Sequence, residues 1–389
     1  MHAPLRVLVG SLGPGMLPDA TVGTPPDGTI LLDLGPDHPS RAGLLELRLW
    51  TEEDLISSVE VVVGAMHRGA EKLFEVRDYR QILMLADRHD WQAPFAGELG
   101  IALACERLLG LEVPIRAVWL RMLLAEHTRI LSHLGFLSYV WYALGRPSGV
   151  PAVRERLRTQ TYTLTGNRIH PMANRLGGLA VDADQQWLRA ELGSMEEVQQ
   201  LAGELVALLA GDEFTRLSAG VGVLAPEVVH HYGVSGPAAR SAGVQLDLRL
   251  QDPYLSYAEL APLLVPAPVP AGGDAWSRFA VMAHDLAVSV ELVRAAADRL
   301  GTVVGPVSVK LPKIVKLPEG ELYSATEAPL GMAGVHLVSR GEKTPWRLKL
   351  RTASFNNVAS LETLLRGLPT TQLEATLASM GYVVGDIDK

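Results

Sequence analysis

The pattern of apolar and polar positions near the start of the chain predicts β-structure. Residues 29–34 form one apolar stretch, and residues 44–64, "LLELRLWTEEDLISSVEVVVG", alternate on either side of a polar turn at 51–54. Successive side chains of a strand point to opposite faces of a sheet, so this alternation is typical of half-buried strands. We therefore expect a small antiparallel β unit over residues 27–63.

From about residue 67 the apolar positions follow the period of a helix instead. Proline and glycine separate the helical stretches, and Pro94 and Pro114 stand where two of them begin, as is typical of a first helical turn. Short strands are expected at 334–339 and 346–351. The pattern predicts helices over residues 67–78, 94–110, 113–145, 151–165, 183–211, 275–301 and, last, near 359–379.

These elements predict an α+β fold, mainly α, in which a core bundle of long helices carries small antiparallel β elements at its N- and C-terminal ends. We expect an N-terminal β region (1–66), a helical bundle core (67–301) and a C-terminal α+β region (302–389), packed as one compact unit. The proline-rich segment 263–274 is expected to be a loop between helices rather than a domain boundary.

The most apolar window, residues 130–145, is too short for a membrane span. It has 16 residues and contains His133, whereas a span needs roughly 18–20 consecutive apolar residues. The first residues of the chain lack the apolar core and cleavage site of a signal peptide. The pattern therefore favours a buried helix at 130–145, and any membrane association is expected to be peripheral.

Composition argues against several kinds of function. The net charge of −8 offers no basic excess with which to replace phosphate counterions, so nucleic-acid binding is not expected. The single cysteine, Cys105, cannot build a cysteine-only zinc or iron–sulfur site and is expected to be a small core residue. The glycine run at 7–15 has the wrong spacing for a nucleotide-binding loop and is followed by prolines, so a plain loop is expected.

The chain has 11 histidines, but none of them has a strong metal-ligand spacing. His127 and His133 fall on different faces of a helix, and the adjacent His230 and His231 cannot easily face one ion. We expect these histidines to be solvated or to be hydrogen-bonded within the core, and we expect no metal site.

Three charged clusters lie in mainly apolar, helical surroundings: "MHRGAEKLFEVRDYRQ" (66–81), "LADRHDWQAP" (85–94) and "GNRIHPMANRLGG" (166–178). Each cluster places arginine beside histidine or aspartate. Burying a charge is costly unless the charge is paired. The clusters are therefore either an internal network of salt bridges or a redox or ligand site, and the residues alone leave both interpretations open.

The clusters belong to a longer, ordered set of motifs. The set includes "GPDHPSRAG", "HRGAEK", "DRHDW", "AEHTRILSHL", "RIHPMANRLGG", "GVGVLAPE", "SAGVQLDLR" and the closing "VVGDIDK". From about residue 33 to its last residue, the chain resembles the 49-kDa-type (D-type) subunit of respiratory complex I, the NADH:quinone oxidoreductase. That family is distantly related to the large subunit of nickel–iron hydrogenases. The hydrogenases need two Cys-x-x-Cys pairs for their metals, which one cysteine cannot supply.

The resemblance implies a hydrogenase large-subunit-like fold and a peripheral-arm subunit, a diverged paralogue, on the cytoplasmic side of a bacterial cell membrane. Such a subunit belongs to a proton-translocating enzyme without holding a complete active site. It binds no cofactor of its own and walls the site of the substrate quinone beside a partner's terminal iron–sulfur cluster. The implied partners are the 30-kDa-type, terminal-cluster and membrane-anchor subunits. The alternative is a structural or assembly subunit of a related membrane oxidoreductase that does not reduce quinone at this site.

The resemblance also assigns residues to the two sides of this site. Arg88 and His170 match the arginine and histidine that face the cluster. His38 matches the first histidine of the family motif G-P-x-H-P-x-x-H-G and is implied to line the quinone site. The chain departs from the family at three quinone-binding positions, where the second histidine, the tyrosine of R-x-D-Y and a paired aspartate are replaced by Ala42, Trp91 and Ala143.

These replacements remove groups that can donate or relay protons. Imidazole, phenol and carboxyl groups can do so, whereas alanine cannot and an indole N–H only donates a hydrogen bond. His89 lies between Arg88 and Asp90 and is a candidate substitute, so His89 and Asp90 form the candidate catalytic pair. A plain histidine on a helix surface is the alternative interpretation of His89.

Overall fold

The computed structural model describes residues 4–10 and 29–389 of the chain. Its strands are β1 (Leu5–Val9), β2 (Thr29–Leu32), β3 (Leu45–Glu52), β4 (Leu55–Val62), β5 (Asn174–Arg175), β6 (Gly178–Leu179), β7 (Gly320–Ala328), β8 (Gly331–Ser339) and β9 (Arg347–Arg351). Its α-helices are α1 (Ala70–Glu75), α2 (Tyr79–Leu83), α3 (Pro94–Leu109), α4 (Ile115–Ala143), α5 (Val150–Thr165), α6 (Gln185–Leu209), α7 (Asp212–Ser218), α8 (Pro226–Tyr232), α9 (Gly236–Ser241), α10 (Leu248–Gln251), α11 (Ala275–Thr302), α12 (Ala353–Ala359), α13 (Leu361–Leu364), α14 (Leu373–Met380) and α15 (Val384–Ile387). Short 3₁₀ helices lie at Pro39–Arg41, Tyr257–Leu263 and Thr370–Gln372. The long helices occupy the middle of the chain and most strands lie toward its two ends, which confirms the predicted fold class.

The first four strands form one sheet in the order β2-β1-β3-β4. β3 pairs antiparallel with both β1 and β4, but β2 lies parallel to β1. The observed sheet therefore differs from the antiparallel unit predicted over residues 27–63: it includes β1, which lies between β2 and β3, and β2 pairs with β1 in parallel. A parallel pair needs a long connection rather than a tight turn, and the chain between β1 and β2 is long enough for one. Residues 11–15 of the glycine run lie outside the described residues.

Three long helices form the centre of the bundle, with α11 packed along both α4 and α6. All residues from 132 to 141 of α4 are buried. A helix that is apolar on every side needs neighbours on every side, so its position in the middle of the bundle follows from its composition. The buried helix predicted at 130–145 is therefore confirmed. Within the described ranges, no helix is both long and apolar enough to cross a membrane.

Two aspartates fix where the long helices begin. The carboxylate of Asp184 accepts a hydrogen bond from the backbone N–H of Trp187 at 2.7 Å, and that of Asp274 accepts one from Ser277 at 2.8 Å. These N-caps satisfy backbone donors that have no partner inside the helix. The starts of α6 and α11 consequently fall close to the predicted positions.

One predicted helix is shorter in the structure and another is divided. Of the helix predicted at 67–78 only α1 is observed, and α2, whose start Asp78 caps, lies beyond the predicted range. Residues 84–93, expected in helical surroundings, form turns. The predicted helix at 359–379 is divided into α13 and α14, with Gly367 at a φ of 78° between them. Such positive φ values favour glycine and end a helix.

The C-terminal sheet brings the last residues of the chain to the loop of residues 84–93. Its order is β7-β8-β9, with antiparallel pairs. The predicted strands fall in β8 and β9, whereas the sequence pattern does not predict β7. Thr352, just after β9, donates from Oγ1 to the backbone carbonyl of Asp386 at 2.7 Å. The carboxylate of Asp388 accepts hydrogen bonds from the backbone N–H groups of Gly64 and Met66, both at 2.7 Å.

Candidate functional site

The loop of residues 84–93 lies between α2 and α3 and carries most of the candidate site residues. Asp90 closes this loop, because its Oδ1 accepts hydrogen bonds from the backbone N–H groups of Gln92 at 3.0 Å and Ala93 at 3.1 Å. Pro94 then begins α3, at a position where a missing N–H costs no helical hydrogen bond. The polar end of the motif "DRHDW" is thus fixed by local hydrogen bonds.

Arg88 and His170 come together at Asp87. The Nδ1 atom of His170 donates to the backbone carbonyl of Asp87 at 3.0 Å and lies 3.5 Å from its Oδ2. The Nε atom of Arg88 lies 2.9 Å from Oδ1 of Asp87, which is an ion-pair distance without hydrogen-bond alignment. The carboxylate is fully buried, whereas the side chains of Arg88 and His170 are 41% and 26% exposed. The two residues predicted to face a cluster therefore lie side by side at the surface.

A second buried acid, Glu98 of α3, lies close to this group. Its Oε2 accepts a hydrogen bond from the backbone N–H of Asn174 at 2.8 Å, while Oε1 has no partner. Burial raises the pKa of Glu98 to about 8, and the charge of Asp87 adds to the effect. Glu98 can therefore hold a proton at neutral pH next to the segment that carries His170.

His89 belongs to a buried acid–imidazole–acid group, so the interpretation as a histidine on a helix surface is wrong. Its Nδ1 lies 2.9 Å from Oδ1 of Asp386, and its side chain is 11% exposed. Burial alone would lower the pKa of His89, but the hydrogen bond and charge of Asp386, with the charge of Asp90, raise that pKa. Burial and the charge of Asp386 raise the pKa of Asp90 to about 7. The group can therefore gain and lose protons near neutral pH.

Two small cavities meet at His89. The inner cleft is lined by alanine, glycine, leucine and valine residues and by the polar residues His89, Asp90, Arg351, Thr352 and Asp386. The outer hollow is lined chiefly by Met66, Arg88, His89, Trp91, Gly385 and Lys389. Their volumes are about 30 and 40 Å³, enough for a few water molecules each. Of the residues that the structure describes, His89 alone lines both.

Two of the positions that depart from the family pattern lie on either side of the segment 384–385. A Cβ atom at Gly385 would come within 2.2 Å of Cζ3 of Trp91, so the indole packs directly on this glycine. Gly43 follows Ala42 and faces Val384, whose Cβ would lie 2.8 Å from a Cβ atom at that glycine. The structure thus brings Trp91 and Gly43, the residue that follows Ala42, to the same short segment of chain.

Ala143 lies at the other end of the loop 35–43. It is the last residue of α4, next to Tyr142, whose ring covers Gly35. A Cβ atom at Gly35 would lie 2.8 Å from Cγ of Tyr142, and its φ of 107° also favours glycine. The loop therefore runs from the end of α4, beside Ala143, to the segment 384–385.

His38 holds the middle of this loop in place. Its Nε2 donates to the backbone carbonyl of Ala378 at 3.2 Å, and its Nδ1 accepts from the Oγ of Ser40 at 2.8 Å. The ring meets the edge of Phe136 at a centroid distance of 5.3 Å. Burial lowers the pKa of His38 to about 4, so the ring is neutral at pH 7. Both ring nitrogens are therefore used within the chain, and His38 anchors the loop to α14.

Two buried nitrogen atoms of residues at the outer hollow have no hydrogen-bond partner. They are Nε2 of His89 and Nε1 of Trp91. Leaving a buried polar atom unpaired costs about 1–3 kcal/mol, and such atoms are rare in folded proteins. Nε2 of His89 lies beside Gly97, which lines the inner cleft. Each of the two nitrogens marks a point where water or a ligand can complete the hydrogen bonding.

The first charged cluster and the centre of the bundle use their charges for structural pairs. Glu71 of the segment 66–81 accepts from Arg347 of β9 at 2.6 Å. Glu126, in the bundle, lies 3.1 Å from Arg129 and 3.3 Å from Arg249. Burial opposes ionisation of Glu126, but the facing arginines lower its pKa to about 2. In residues 66–81 the salt bridges described are those of Glu71 and Glu75 with Arg347 and of Lys72 with Glu75, whereas the polar atoms around Asp87 and His89 are only partly paired.

The other histidines and the cysteine have structural surroundings. His127 lies 2.6 Å from Oε1 of Glu191 through Nδ1 and 3.1 Å from Oγ1 of Thr161 through Nε2, so it is a hydrogen-bonded core histidine, as predicted. His133 is buried 3.7 Å from Asp285, too far for a hydrogen bond. Cys105 is buried, as predicted. The described residues contain no group of three or more histidine, cysteine or acidic side chains that could hold a metal ion.

Asp386 and Glu98 are members of the site that the sequence pattern does not predict. Asp386 belongs to the closing motif "VVGDIDK", which contributes only to the resemblance. An acid within an apolar segment is itself a signal, because a buried carboxylate needs a partner. For Asp386 the partner lies 297 residues away in the chain, so the pattern could suggest burial but not the contact.

Comparison with known proteins identifies the family. Residues 149–317 and 312–389 match the respiratory-chain NADH dehydrogenase, 49 Kd subunit family. The chain is 49% identical to the second D-type subunit of NADH-quinone oxidoreductase from Salinispora tropica, over 96% of this chain and 100% of the relative. It is 33% identical to the D-type subunit of NADH-quinone oxidoreductase from Carboxydothermus hydrogenoformans, over 92% of this chain and 98% of the relative.

A solved structure agrees with these relatives. A chain of the membrane-bound sulfane sulfur reductase, an archaeal respiratory membrane complex, superposes with a TM-score of 0.81 at 30% identity, over 89% of this chain and 94% of that chain. The predicted fold class and the predicted resemblance are therefore both confirmed. The chain belongs to the 49-kDa subunit family of the respiratory-chain NADH dehydrogenases.

Proposed function

We propose that the chain is a peripheral-arm subunit of a complex I-type NADH:quinone oxidoreductase and walls its quinone site. Relatives that match nearly the whole chain are named as D-type subunits of NADH-quinone oxidoreductase. The observation that carries the site assignment is the outer hollow, which the exposed cation Arg88 lines together with His89 and Trp91, two residues whose buried Nε2 and Nε1 have no hydrogen-bond partner. A quinone headgroup offers two carbonyl oxygens, which are the acceptors that such groups need.

A partner subunit is needed to complete the quinone site. The outer hollow measures about 40 Å³, whereas pockets that enclose small molecules measure several hundred Å³. Met66, an apolar side chain that lines the hollow, is 38% exposed in the isolated chain. We infer that partner surfaces cover this side, supplied by the 30-kDa-type, terminal-cluster and membrane-anchor subunits. The assembly would lie on the cytoplasmic face of a bacterial membrane.

The electron donor at this site would be an iron–sulfur cluster held by the partner. The side chains of the described residues offer no set of metal ligands for it, since Cys105 is buried and alone. Arg88 and His170 lie side by side at the surface and would face that cluster. A nearby cation stabilises the negative charge that a cluster gains on reduction, and an imidazole can take up a proton with it.

The hydrogen bonds to the quinone would be fewer than in the family pattern. Trp91 can donate from Nε1, and His89 can donate from Nε2 when it is protonated, but Ala42 and Ala143 can donate nothing. Each missing hydrogen bond to a buried carbonyl is worth about 1 kcal/mol, and more where charge develops during reduction. We therefore expect weak quinone reductase activity for the wild-type assembly.

Quinone reduction by the assembled complex tests this proposal. The double variant Ala42→His with Trp91→Tyr should reduce a quinone analogue faster than wild type, and the addition of Ala143→Asp should increase the rate further. Trp346→Tyr, at an exposed tryptophan of the C-terminal region, is the matched control and should change nothing. Fast wild-type turnover that is insensitive to all of these changes and to His89→Ala would contradict the proposal.

A second candidate is a subunit of a related membrane oxidoreductase that does not reduce quinone at this site. Two observations favour it: three donor positions are replaced in the chain, and the structural relative belongs to a complex named for sulfane sulfur reduction. In that case the partner's cluster would still be reduced in the assembly, but a quinone analogue would accept no electrons from wild type or from the restored variants.

A further inference from the structure

Asp386 is held rigidly beside His89 by residues from another part of the fold. It lies on α15, and its Oδ2 accepts a hydrogen bond from the backbone N–H of Ser354 at 3.2 Å. Its backbone carbonyl accepts from Oγ1 of Thr352 at 2.7 Å. The remaining oxygen, Oδ1, faces Nδ1 of His89 at 2.9 Å. The side chain of Asp386 is 7% exposed, so water competes little for this contact.

This contact decides which nitrogen of His89 is available for chemistry. An ionised carboxylate only accepts hydrogen bonds, so Nδ1 of His89 must carry a hydrogen. The other nitrogen, Nε2, has no partner in the chain. An acid that fixes the tautomer and direction of an imidazole in this way is a recurring device in sites that transfer protons.

We propose that Asp386 is a positioning residue of the quinone site, which holds His89 so that Nε2 can give a proton to an oxygen of the quinone as it is reduced. This inference rests on the function proposed above. The electrons come from the partner's cluster. One O–H bond forms on the quinone, the Nε2–H bond of His89 breaks, and the imidazole becomes neutral. Asp90 can then return a proton to His89 through the inner cleft, which both residues line and which has room for water.

The charges around His89 favour this role. Asp386 and Asp90 lie on the inner side, while Lys389 and Arg351 contribute positive charge from the C terminus and from the end of β9. Burial opposes ionisation of Asp386, but the hydrogen bond and charge of His89 lower its pKa, so Asp386 stays ionised at neutral pH. The raised pKa of His89 keeps its protonated form available there. His89 lines both cavities, but its Nε2 lies beside Gly97 of α3, within 3.0 Å of where a Cβ atom would stand, so a proton given by Nε2 leaves on the side of the inner cleft.

The pH profile of quinone reduction by the assembled complex tests this role. If protonated His89 is the donor, wild-type activity falls as the pH rises through the pKa of His89. Asp386→Asn removes the charge that raises this pKa, so the fall should move to lower pH by about one unit or more. The variant should consequently lose about tenfold more activity at pH 8 than at pH 6. Asp386→Glu should restore part of the profile, and His89→Gln should remove the pH-dependent step.

Glu321→Gln is the matched control, because it removes the acid partner of the half-exposed His336, whose Nε2 lies 2.7 Å from Oε1 of Glu321. It should leave the profile unchanged. Quinone reduction by wild type with a profile that neither Asp386→Asn nor His89→Gln shifts would overturn the role of Asp386 and leave the proposed function intact. If Asp386→Asn does not assemble, His89→Gln and Asp386→Glu decide the question by the same profile. A wild-type complex with a reducible cluster and no quinone reduction would remove both the proposed function and this inference.

Discussion

His170 donates from Nδ1 to the backbone carbonyl of Asp87 at 3.0 Å, and this bond places its imidazole beside Arg88. The carbonyl fixes the direction of the ring and leaves Nε2 free of this contact. Arg88 and His170 thus share the buried Asp87, while both of their side chains stay partly exposed. This arrangement leads to separate predictions for the two residues.

Arg88→Met should lower the midpoint potential of the partner's cluster in the assembled complex. It removes a positive charge from a site of low dielectric, and the loss should be on the order of tens of millivolts. Redox titration of the cluster signal measures it. Arg146→Met, at an exposed arginine paired with Glu213, should leave the potential unchanged; an equal shift in both variants would show that Arg88 has no special position.

His170→Met should flatten the pH dependence of the same potential. An imidazole next to a cluster can take up a proton when the cluster is reduced, which makes the potential more negative as the pH rises. The measurement is a set of redox titrations between pH 6 and 8. An unchanged slope would mean that His170 serves only to hold the segment 166–178 against Asp87.

Glu106→Ala should destabilise the folded chain strongly. Glu106 accepts two hydrogen bonds from Arg121, at 2.7 and 2.8 Å, and both side chains are almost fully buried. Removal of one partner leaves an uncompensated buried charge, which costs about 3–5 kcal/mol. Glu213→Ala breaks an exposed pair with Arg146 and should cost less than about 1 kcal/mol. Denaturant unfolding compares them, and equal, small losses would contradict the importance of burial here.

Acidification should destabilise the chain through His38. Its pKa is lowered from 6.5 to about 4 in the folded chain, so the unfolded chain binds more protons between these values. Stability from this residue is therefore complete above pH 6.5 and is lost as the pH falls toward 4, by about 2 kcal/mol between pH 7 and pH 5. His38→Asn should show a shallower loss over this range in denaturant unfolding. His284→Gln, at a partly exposed histidine, is the control. An equal loss of stability with falling pH in wild type and in both variants would refute the assignment of this loss to His38.

The long helices could be predicted from sequence because each provides many apolar positions in one period. The helix predicted at 275–301 is observed at Ala275–Thr302. Short helices such as α9 and α10 could not be predicted, since helices of one or two turns are stable only through packing. β7 could not be predicted for a related reason. Its strand conformation depends on its pairing with β8 and not on an apolar pattern of its own.

The candidate site was predictable only where its residues are close in sequence. The motif "DRHDW" places Arg88, His89 and Asp90 together by itself. The contact of His89 with Asp386 depends on how the C-terminal segment returns to α3, which no local pattern contains. The resemblance implied that His38 lines a quinone site, but only the structure shows that both of its nitrogens are already bonded within the chain.

The most direct measurement of the central claim is photolabelling of the assembled complex with a light-activated quinone analogue, followed by mapping of the labelled peptides. If residues 85–94 and 384–389 wall the quinone site, label should appear in these segments of the chain. An excess of unlabelled quinone should remove it, and Trp91→Ala should reduce it. Label confined to other subunits, or spread over the chain and insensitive to competing quinone, would contradict the claim that this surface binds quinone.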